Sequence, residues 1–324
     1  MEFRLEEVKC LCGYNNADTV TVIHFMAEKE ARIVQCKNCG LQYISPRPDK
    51  EFLDWMYREG YYTSVIEDRN TWTEKTLELE SKREKVHLNR LIPIMKMRNS
   101  YGYKKILDIG TGAGYFLKLA KDKGFAVLGI EVSERAAEFA RENYDIPVLN
   151  VGKIEEAGFE DNSFDVVALC HVIEHMPYPD VTLMEINRIL RDKGLLLVVT
   201  PNRRTVTTFL SRLNRMLGNP VKPLEDPYAI RKFKNGYCHL YPRRSDEEGY
   251  RLYLLHNLYH LYFFDPKALK GLLSRCNFSI VSYPAGGYDY GATGIRRLFS
   301  NWAVNLIARI FSLQTEIIFY AKKV

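Results

Sequence analysis

Two periods of apolar positions alternate along the middle of the chain. Short apolar runs typical of buried strands are separated by segments whose apolar residues recur at helical spacing. The predicted strands cover 105–109, 126–131, 147–150, 164–170 and 194–200, and the predicted helices cover 115–123, 133–143 and 180–190. This alternation predicts βαβ units on a parallel sheet, so the expected fold class is α/β, with a Rossmann-like sheet and helices on both faces.

Changes in composition divide the chain into three parts. Residues 1–48 contain four cysteines and end at Pro46-Arg47-Pro48, where the prolines favour an extended linker. Residues 49–103 are polar with apolar positions at helical spacing, which predicts a helical connector. Residues 104–324 contain the sheet, interrupted at about 203–260 by a segment rich in Arg, Tyr, His and Pro. We interpret this insertion as a lid over the substrate.

The sheet pattern resumes after the insertion. A helix is predicted at 266–275, a strand at 278–283, and a last strand at 315–321, which is expected at the edge of the sheet. Residues 295–311 have an amphipathic helical pattern with basic residues beside the apolar face. Such a helix can lie on a membrane, but packing against the core is favoured because a strand follows it.

Composition narrows the class of protein. Among 324 residues, 46% are hydrophobic and 27% charged, values typical of a folded globular protein. The net charge of +6 has no dense basic stripe, so a nucleic-acid partner is disfavoured. We find no secretory signal and no apolar stretch long enough to span a membrane. The odd total of seven cysteines fits a reducing compartment, and we expect a cytoplasmic protein.

A glycine-rich loop follows the first strand of the sheet. Its spacing is Gly110-x-Gly112-x-Gly114, with Tyr115 where a dinucleotide fold would need its third glycine. This favours a ligand with a ribose and an amino acid over one with a pyrophosphate. Asp108 can face the ammonium group of such a ligand, and Glu131 after the second strand can bind both ribose hydroxyls. The alternative for the loop alone is a tight strand-to-helix turn.

A second polar cluster follows the predicted strand 164–170. His171, Glu174 and His175 are expected beside the cofactor, because ligands of open α/β sheets lie beyond the carboxyl ends of the strands. Transfer of a group from a cofactor bound there needs an aligned nucleophile and, for some acceptors, removal of a proton. His175 is the candidate base and Glu174 the residue that orients it. The alternative is a histidine that only caps the next helix or lines the pocket.

These motifs together resemble the class I S-adenosylmethionine-dependent methyltransferases. The likeness rests on Ile106 to Gly114, Gly129-Ile-Glu131-Val-Ser, Asn162-Ser-Phe-Asp165, His171 to His175, Arg188 to Gly194 and Thr200-Pro-Asn202, and continues from His260 to Phe278. It implies that S-adenosylmethionine contacts Asp108, Gly110, Gly112, Gly114 and Glu131, that its adenine lies near Ile154 and Glu155, and that His171 lies beside its methionine part. One departure is Lys193-Gly194, where the family pattern has two glycines.

The four N-terminal cysteines predict a zinc site. Cys36-x-x-Cys39-Gly40 is a metal-binding knuckle, whereas Cys10-x-Cys12 is one residue tighter than the usual pair. Either Cys10 and Cys12 both bind the metal, or one of the two sulfurs is free, or His24 replaces it. The segment resembles the N-terminal zinc-binding part of certain methyltransferases, which implies structural zinc. Four reduced thiols without metal are the alternative.

Some methyltransferases with such a segment act on carbon atoms of nucleotide-linked sugars and use a Glu-His pair after the fourth strand, which Glu174-His175 matches. The sequence therefore predicts methyl transfer to a small-molecule acceptor, with a nucleotide-linked sugar or another biosynthetic intermediate as candidates. A nucleic-acid-associated zinc protein is the alternative outside the enzymes, and a nicotinamide-dependent oxidoreductase is disfavoured by Tyr115.

Overall fold

A sheet of seven strands lies at the centre of the protein. The structure is a computed structural model that describes residues 4–25, 29–55, 58, 74–98, 105–204, 260–283 and 316–324. The strands of this sheet are β6 (Lys105–Ile109), β7 (Ala126–Ile130), β8 (Val148–Leu149), β9 (Phe164–Cys170), β10 (Leu190–Pro201), β12 (Phe278–Ser282) and β13 (Glu316–Lys323). Their order is β12-β13-β10-β9-β6-β7-β8.

The strands from β6 to β10 pair in parallel, and β13 runs antiparallel to both of its neighbours. The predicted α/β class with a Rossmann-like sheet is confirmed. The expectation that the last strand lies at the edge is wrong, because β13 is inserted between β10 and β12. The run from Ile317 to Ala321 is buried on both faces, as in an interior strand.

The helices lie mostly where the apolar spacing predicts them. They are α1 (Lys50–Trp55), α2 (Glu74–Arg98), α3 (Tyr115–Lys121), α4 (Glu134–Tyr144), α5 (Pro179–Ile189) and α6 (Pro266–Arg275), with a 3-10 helix at Ile154–Ala157. Ser133 and Asp265 begin α4 and α6 by accepting hydrogen bonds from the backbone N–H three residues later. The predicted lid falls largely on 205–259 and the amphipathic segment on 295–311, both outside the described residues.

The cysteine-containing segment has its own antiparallel sheet. Its strands are β2 (Ala17–Phe25), β3 (Lys29–Cys36) and β4 (Gln42–Ile44), and β1 (Leu5–Glu6) pairs separately with β5 (Arg47–Pro48). A strand from far along the chain, β11 (Tyr262–Phe263), completes this sheet by pairing with β4. We call this sheet together with the β1–β5 pair the cysteine module.

Each face of the seven-stranded sheet is covered by an apolar layer. Leu196 and Val198 of β10 belong to one buried cluster, while Leu195 and Leu197 belong to the other, as the two-residue period of a strand requires. The first cluster continues into the cysteine module through residues such as Ile44. The module therefore shares a core with one face of the sheet.

We predict that Gly114→Ala destabilises the protein more than Gly124→Ala. Both glycines have φ of +84°, so the left-handed backbone conformation costs alanine about 1–2 kcal/mol at either position. A Cβ at Gly114 would also lie 2.9 Å from the Cβ of Ala140, whereas one at Gly124 meets nothing within 4 Å.

This crowding should lower the free energy of unfolding of Gly114→Ala by about 1–3 kcal/mol beyond the loss in Gly124→Ala. Urea denaturation of both variants and the wild type measures the difference. Equal losses would show that α4 moves aside without cost.

Candidate functional site

The glycine loop between β6 and α3 is folded tightly against its neighbours. Gly110, Gly112 and Gly114 all have positive φ, with values of 71°, 52° and 84°. The backbone N–H groups of Gly110 and Thr111 donate to the carbonyl oxygen of Ile130, at 2.8 and 3.0 Å. A Cβ at Gly110 would lie 2.4 Å from Cγ2 of Val172, so only glycine allows this approach.

Glu131, directly after β7, is bonded to this loop. Its carboxylate accepts hydrogen bonds from the backbone N–H of Gly112 at 2.8 Å and of Ser133 at 2.9 Å. The residue is only 3% exposed, and burial raises the pKa of its carboxyl group against the effect of these bonds. The predicted ribose-binding carboxylate therefore lies beside the predicted glycine loop.

Asp108, near the end of β6, has one satisfied and one bare oxygen. Its Oδ2 accepts from the hydroxyl of Thr111 at 2.9 Å, whereas Oδ1 is buried with no hydrogen-bond partner among the described residues. Burial raises the pKa of this carboxyl well above its usual range, although the bond from Thr111 opposes the rise. A buried carboxylate oxygen without a donor is unfavourable, so the position calls for a cationic or donating ligand.

The predicted adenine region lies in the 3-10 helix. Ile154 is buried in the core, and Glu155 at the next position is exposed. Nearby, the side chain of Asn150 donates to the carbonyl oxygens of Glu131 and Val132, both at 3.0 Å. The assignment of Ile154 and Glu155 to the adenine stays a prediction.

The loop after β9 brings the predicted polar residues together. His171 has a positive φ of 57°, and its backbone N–H donates to the carbonyl oxygen of Val199 at 2.8 Å. Its ring lies between two carboxylates, with Nε2 3.2 Å from Glu316 and Nδ1 3.8 Å from Glu174. Burial favours a raised pKa for Glu316, but the contact with His171, together with the charges of His87 and Arg83, outweighs it and holds that pKa below its usual value.

Glu174 is the buried centre of this loop, with 2% exposure. Its Oε2 accepts from the hydroxyl of Thr200 at 2.8 Å, and its Oε1 lies 3.9 Å from Nε2 of His175. The ring of His175 contacts that of His260, with centroids 4.7 Å apart. The residues that line a narrow crevice here are Glu174, Pro201, Arg203, His260, Tyr262 and Phe263.

Sequence reasoning placed His260 only at the end of the predicted lid and missed Glu316 and the two buried polar residues of α2, Glu84 and His87. Glu84 and His87 are 5% and 1% exposed and lie one helical turn apart. They precede Leu88 and Leu91, which also face the core, so the spacing of α2 places both on its buried face. That spacing was the available signal, and the charged composition of the helix concealed it.

The cysteine module is bonded to the Glu174 loop through β11. The backbone N–H groups of Leu261 and Tyr262 donate to the carbonyl oxygen of Glu174, at 2.8 and 3.2 Å. On its other side, the carbonyl oxygen of Leu261 accepts from the N–H of Ile44 in the module, at 3.0 Å. The guanidinium of Arg47, which is 2% exposed, adds a bond to the carbonyl oxygen of Pro177 at 3.0 Å.

The four N-terminal cysteines converge. Cys10 and Cys39 have sulfurs 3.4 Å apart, Cys12 and Cys36 have sulfurs 3.6 Å apart, and all four lie within 4.8 Å of one another. Tetrahedral zinc with bonds of about 2.3 Å would place its sulfurs about 3.8 Å apart. Both members of the tight Cys10-x-Cys12 pair therefore reach the cluster. The side chain of His24 lies outside the described residues.

The order of the seven strands, the glycine loop after β6 and the carboxylate after β7 define a Rossmann-like methyltransferase domain. A family profile described as methyltransferase domain matches residues 67–283, which is more than half of the chain. The chain belongs to this methyltransferase-domain family. The resemblance to class I S-adenosylmethionine-dependent methyltransferases is confirmed, and the chain contains the cofactor-binding domain of an enzyme of that class.

Curated relatives match parts of this domain. A probable S-adenosylmethionine-dependent methyltransferase of Mycolicibacterium smegmatis is 34% identical over 102 residues, covering 32% of this chain and 40% of that protein. The mitochondrial ubiquinone biosynthesis O-methyltransferase of Schizosaccharomyces pombe is 32% identical over 133 residues, covering 39% of this chain and 47% of that protein. The 2-methyl-6-phytyl-1,4-hydroquinone methyltransferase of Synechocystis is 36% identical over 103 residues, covering 31% of this chain and 32% of that protein. The chain thus spans less than half the length of these relatives.

Solved structures resemble the chain at low sequence identity. A Pyrococcus horikoshii protein has a TM-score of 0.48 and 18% identity, covering 82% of this chain and 99% of that one. A SAM dependent methyltransferase from Archaeoglobus fulgidus has a TM-score of 0.47 and 19% identity, covering 85% of this chain and 100% of that one. Within the described residues, no helix has the length and apolar character needed to cross a membrane.

Proposed function

We propose that this chain transfers a methyl group from S-adenosylmethionine to a small-molecule acceptor bound beside Glu174 and His175. The adjacency of two loops supports this most directly. The glycine loop and the Glu174 loop follow the neighbouring parallel strands β6 and β9, and Val172 of the second loop packs on Gly110 of the first. A cofactor on one loop and an acceptor on the other would therefore meet.

S-adenosylmethionine supplies an electrophilic methyl group when it is bound. The bare Oδ1 of Asp108 and the buried carboxylate of Glu131 fit the ammonium and the ribose of this cofactor. The residues that would hold it are Asp108, Gly110, Gly112, Gly114 and Glu131, with Ile154 and Glu155 at the adenine and His171 at the methionine part. The chain's own contribution is to bind, to orient and to exclude water.

His175 is the residue proposed to take a proton from the acceptor. Its side chain is 19% exposed, so it can be reached, and its Nε2 faces the buried carboxylate of Glu174 at 3.9 Å. A protonated imidazole there would be stabilised by the carboxylate, which the hydroxyl of Thr200 holds in place. The acceptor is accordingly a molecule with an ionisable hydroxyl or an acidic carbon.

Two observations suggest where to search for the acceptor. Two of the relatives are named for ubiquinone biosynthesis and for methylation of a hydroquinone. The cysteine segment and the Glu174-His175 pair resemble enzymes that act on nucleotide-linked sugars. Quinols and nucleotide-linked sugars are therefore the two classes of compound to test first.

Calorimetric titration with S-adenosylhomocysteine tests the cofactor. We expect one site with a dissociation constant of about micromolar, and no binding of NADH in a parallel titration, because Tyr115 stands where a pyrophosphate would need glycine. Binding of NADH without binding of S-adenosylhomocysteine, in folded protein, would reject the proposal.

The role of His175 is tested by His175→Gln once labelled S-adenosylmethionine has identified an acceptor. If His175 is the base, kcat should fall by about 10²-fold or more, and the limb of the pH profile set by the histidine should disappear. Affinity for S-adenosylhomocysteine should not change, which controls for folding. An unchanged rate and pH profile would mean that alignment alone is sufficient.

We also propose that one structural zinc ion is held by Cys10, Cys12, Cys36 and Cys39. The convergence of four sulfurs at near-tetrahedral spacing supports this, and four thiolates leave no open position for catalysis. The side chain of Asn38 donates to the sulfur of Cys12 at 3.7 Å, as residues around metal ligands often do. None of the six described cysteines forms a disulfide. The cytoplasmic location stays a prediction.

Metal analysis of purified protein should find one zinc ion per chain. Cys36→Ser should lose it and should lower the melting temperature, since the module shares a core with the sheet. Cys276→Ser is the matched control, because Cys276 is also a buried thiol but lies outside the cluster. Absence of zinc from the wild type, or full zinc content in Cys36→Ser, would contradict the assignment.

A further inference from the structure

In the part of the chain that the structure describes, three buried polar side chains of helix α2 and strand β6 have atoms without hydrogen-bond partners. Oε2 of Glu84, both ring nitrogens of His87 and Oδ1 of Asp108 are buried with no partner among the described residues. The other carboxylate oxygens are bonded, since Oε1 of Glu84 accepts from Arg83 at 3.0 Å and Oδ2 of Asp108 accepts from Thr111 at 2.9 Å. These residues are only 5%, 1% and 3% exposed. Most buried polar atoms in native proteins are satisfied, so several bare atoms in one region indicate a ligand that provides the partners.

Helix α2 holds Glu84 and His87 in this region. Leu88 and Leu91 of the same helix are fully buried against the sheet, and the hydroxyl of Tyr320 donates to the carbonyl oxygen of His87 at 3.1 Å. The helix is thus fixed to β13 at the level of His87. Glu84 lies one turn earlier in the same helix.

Electrostatic effects place Glu84 near both loops of the site. Burial raises the pKa of Asp108 and of Cys170 well above their usual values, and the charge of Glu84 adds to both increases. Asp108 precedes the glycine loop and Cys170 precedes the His171 loop. The charge of Glu84 therefore acts on the ends of both strands from which these loops leave.

Two buried carboxylates in one place repel each other, and each favours a neighbouring cation. The amino-acid end of S-adenosylmethionine carries an ammonium, a sulfonium and a carboxylate. Burial also lowers the pKa of His87, so its ring is neutral near pH 7 and offers one donor and one acceptor nitrogen. The carboxylates of Glu84 and Asp108 suit the positive groups at that end of the cofactor, and a ring N–H of His87 suits its carboxylate.

We propose that α2 completes the cofactor site: Glu84 and Asp108 together bind the ammonium group, and His87 donates a ring N–H to the carboxylate. This rests on the proposed function, and it extends the site beyond the loops to the helix that precedes the sheet. The connector is then part of the binding site as well as a link between the cysteine module and the sheet.

The test compares ligands that differ only at the amino-acid end. Calorimetry of the full chain is carried out with S-adenosylhomocysteine, with its decarboxylated form, and with 5′-methylthioadenosine, which lacks the whole amino-acid end. Glu84→Gln should weaken the first two by about tenfold or more while leaving 5′-methylthioadenosine unchanged, because a charge-assisted bond is lost. His87→Gln should weaken only S-adenosylhomocysteine.

Glu138→Gln provides the matched control, since it removes an exposed carboxylate from α4. It should leave all three affinities at the wild-type values. Glu84→Gln also removes the ion pair between Nε of Arg83 and Oε1 of Glu84, which are 3.0 Å apart. The melting temperature without ligand therefore serves only to show that the variant is folded, and the contrast between S-adenosylhomocysteine and 5′-methylthioadenosine carries the test.

Two outcomes would overturn the inference while leaving the proposed function intact. One is wild-type affinity of Glu84→Gln for S-adenosylhomocysteine, and the other is an equal loss for S-adenosylhomocysteine and 5′-methylthioadenosine. If the wild type itself binds neither ligand, the proposed function fails as well.

Discussion

Burial of carboxylates at one edge of a parallel sheet is the constraint on which the site depends. Asp108, Glu131 and Glu174 are each no more than 3% exposed, and each follows or ends a strand of the sheet. Glu131 is satisfied by two backbone N–H groups, and Glu174 is bonded to Thr200 through one oxygen. Asp108 and Glu174 each keep one oxygen without a hydrogen-bond partner among the described residues. The apolar layers on both faces of the sheet stabilise the domain enough to hold these unfavourable charges in place.

A single segment of backbone joins the cysteine module to the Glu174 loop. Leu261 bonds to Ile44 through its carbonyl oxygen and to Glu174 through its N–H, so the segment has the module on one side and the loop on the other. Arg203 adds a second link, since its guanidinium contacts Asp265 at 2.7 Å and the carbonyl oxygen of Gly40 at 3.3 Å. The geometry of Glu174 thus depends on residues that are distant in sequence but belong to one packed unit.

Local patterns predicted the elements that local interactions determine. The bounds of β6, β9 and α6 match the predicted ranges, because apolar spacing and a capping residue such as Asp265 mark their ends. The positions of Asp108 and Glu131 beside the glycine loop also follow from the βαβ pattern. These features require only that neighbouring parallel strands end at the same edge.

The features that sequence reasoning missed depend on long-range pairing. β11 has two residues and no period, and its partner β4 lies more than 200 positions earlier. The place of β13 inside the sheet is set by pairing with β10 and β12, although its uninterrupted apolar run was a usable sign. Glu84 and His87 look like ordinary surface residues in a charged helix until α2 is packed against the sheet.

The interior position of β13 has a consequence for synthesis on the ribosome. β13 begins 115 positions after β10 ends, which corresponds to roughly 6–23 s of translation. Throughout that interval the nascent chain presents the open edge of β10, an apolar strand with unpaired backbone groups. The growing polypeptide is then exposed to aggregation and is a natural client for chaperones. Glu316, which contacts His171, is synthesised only with β13, so the polar cluster around His171 is completed late in translation.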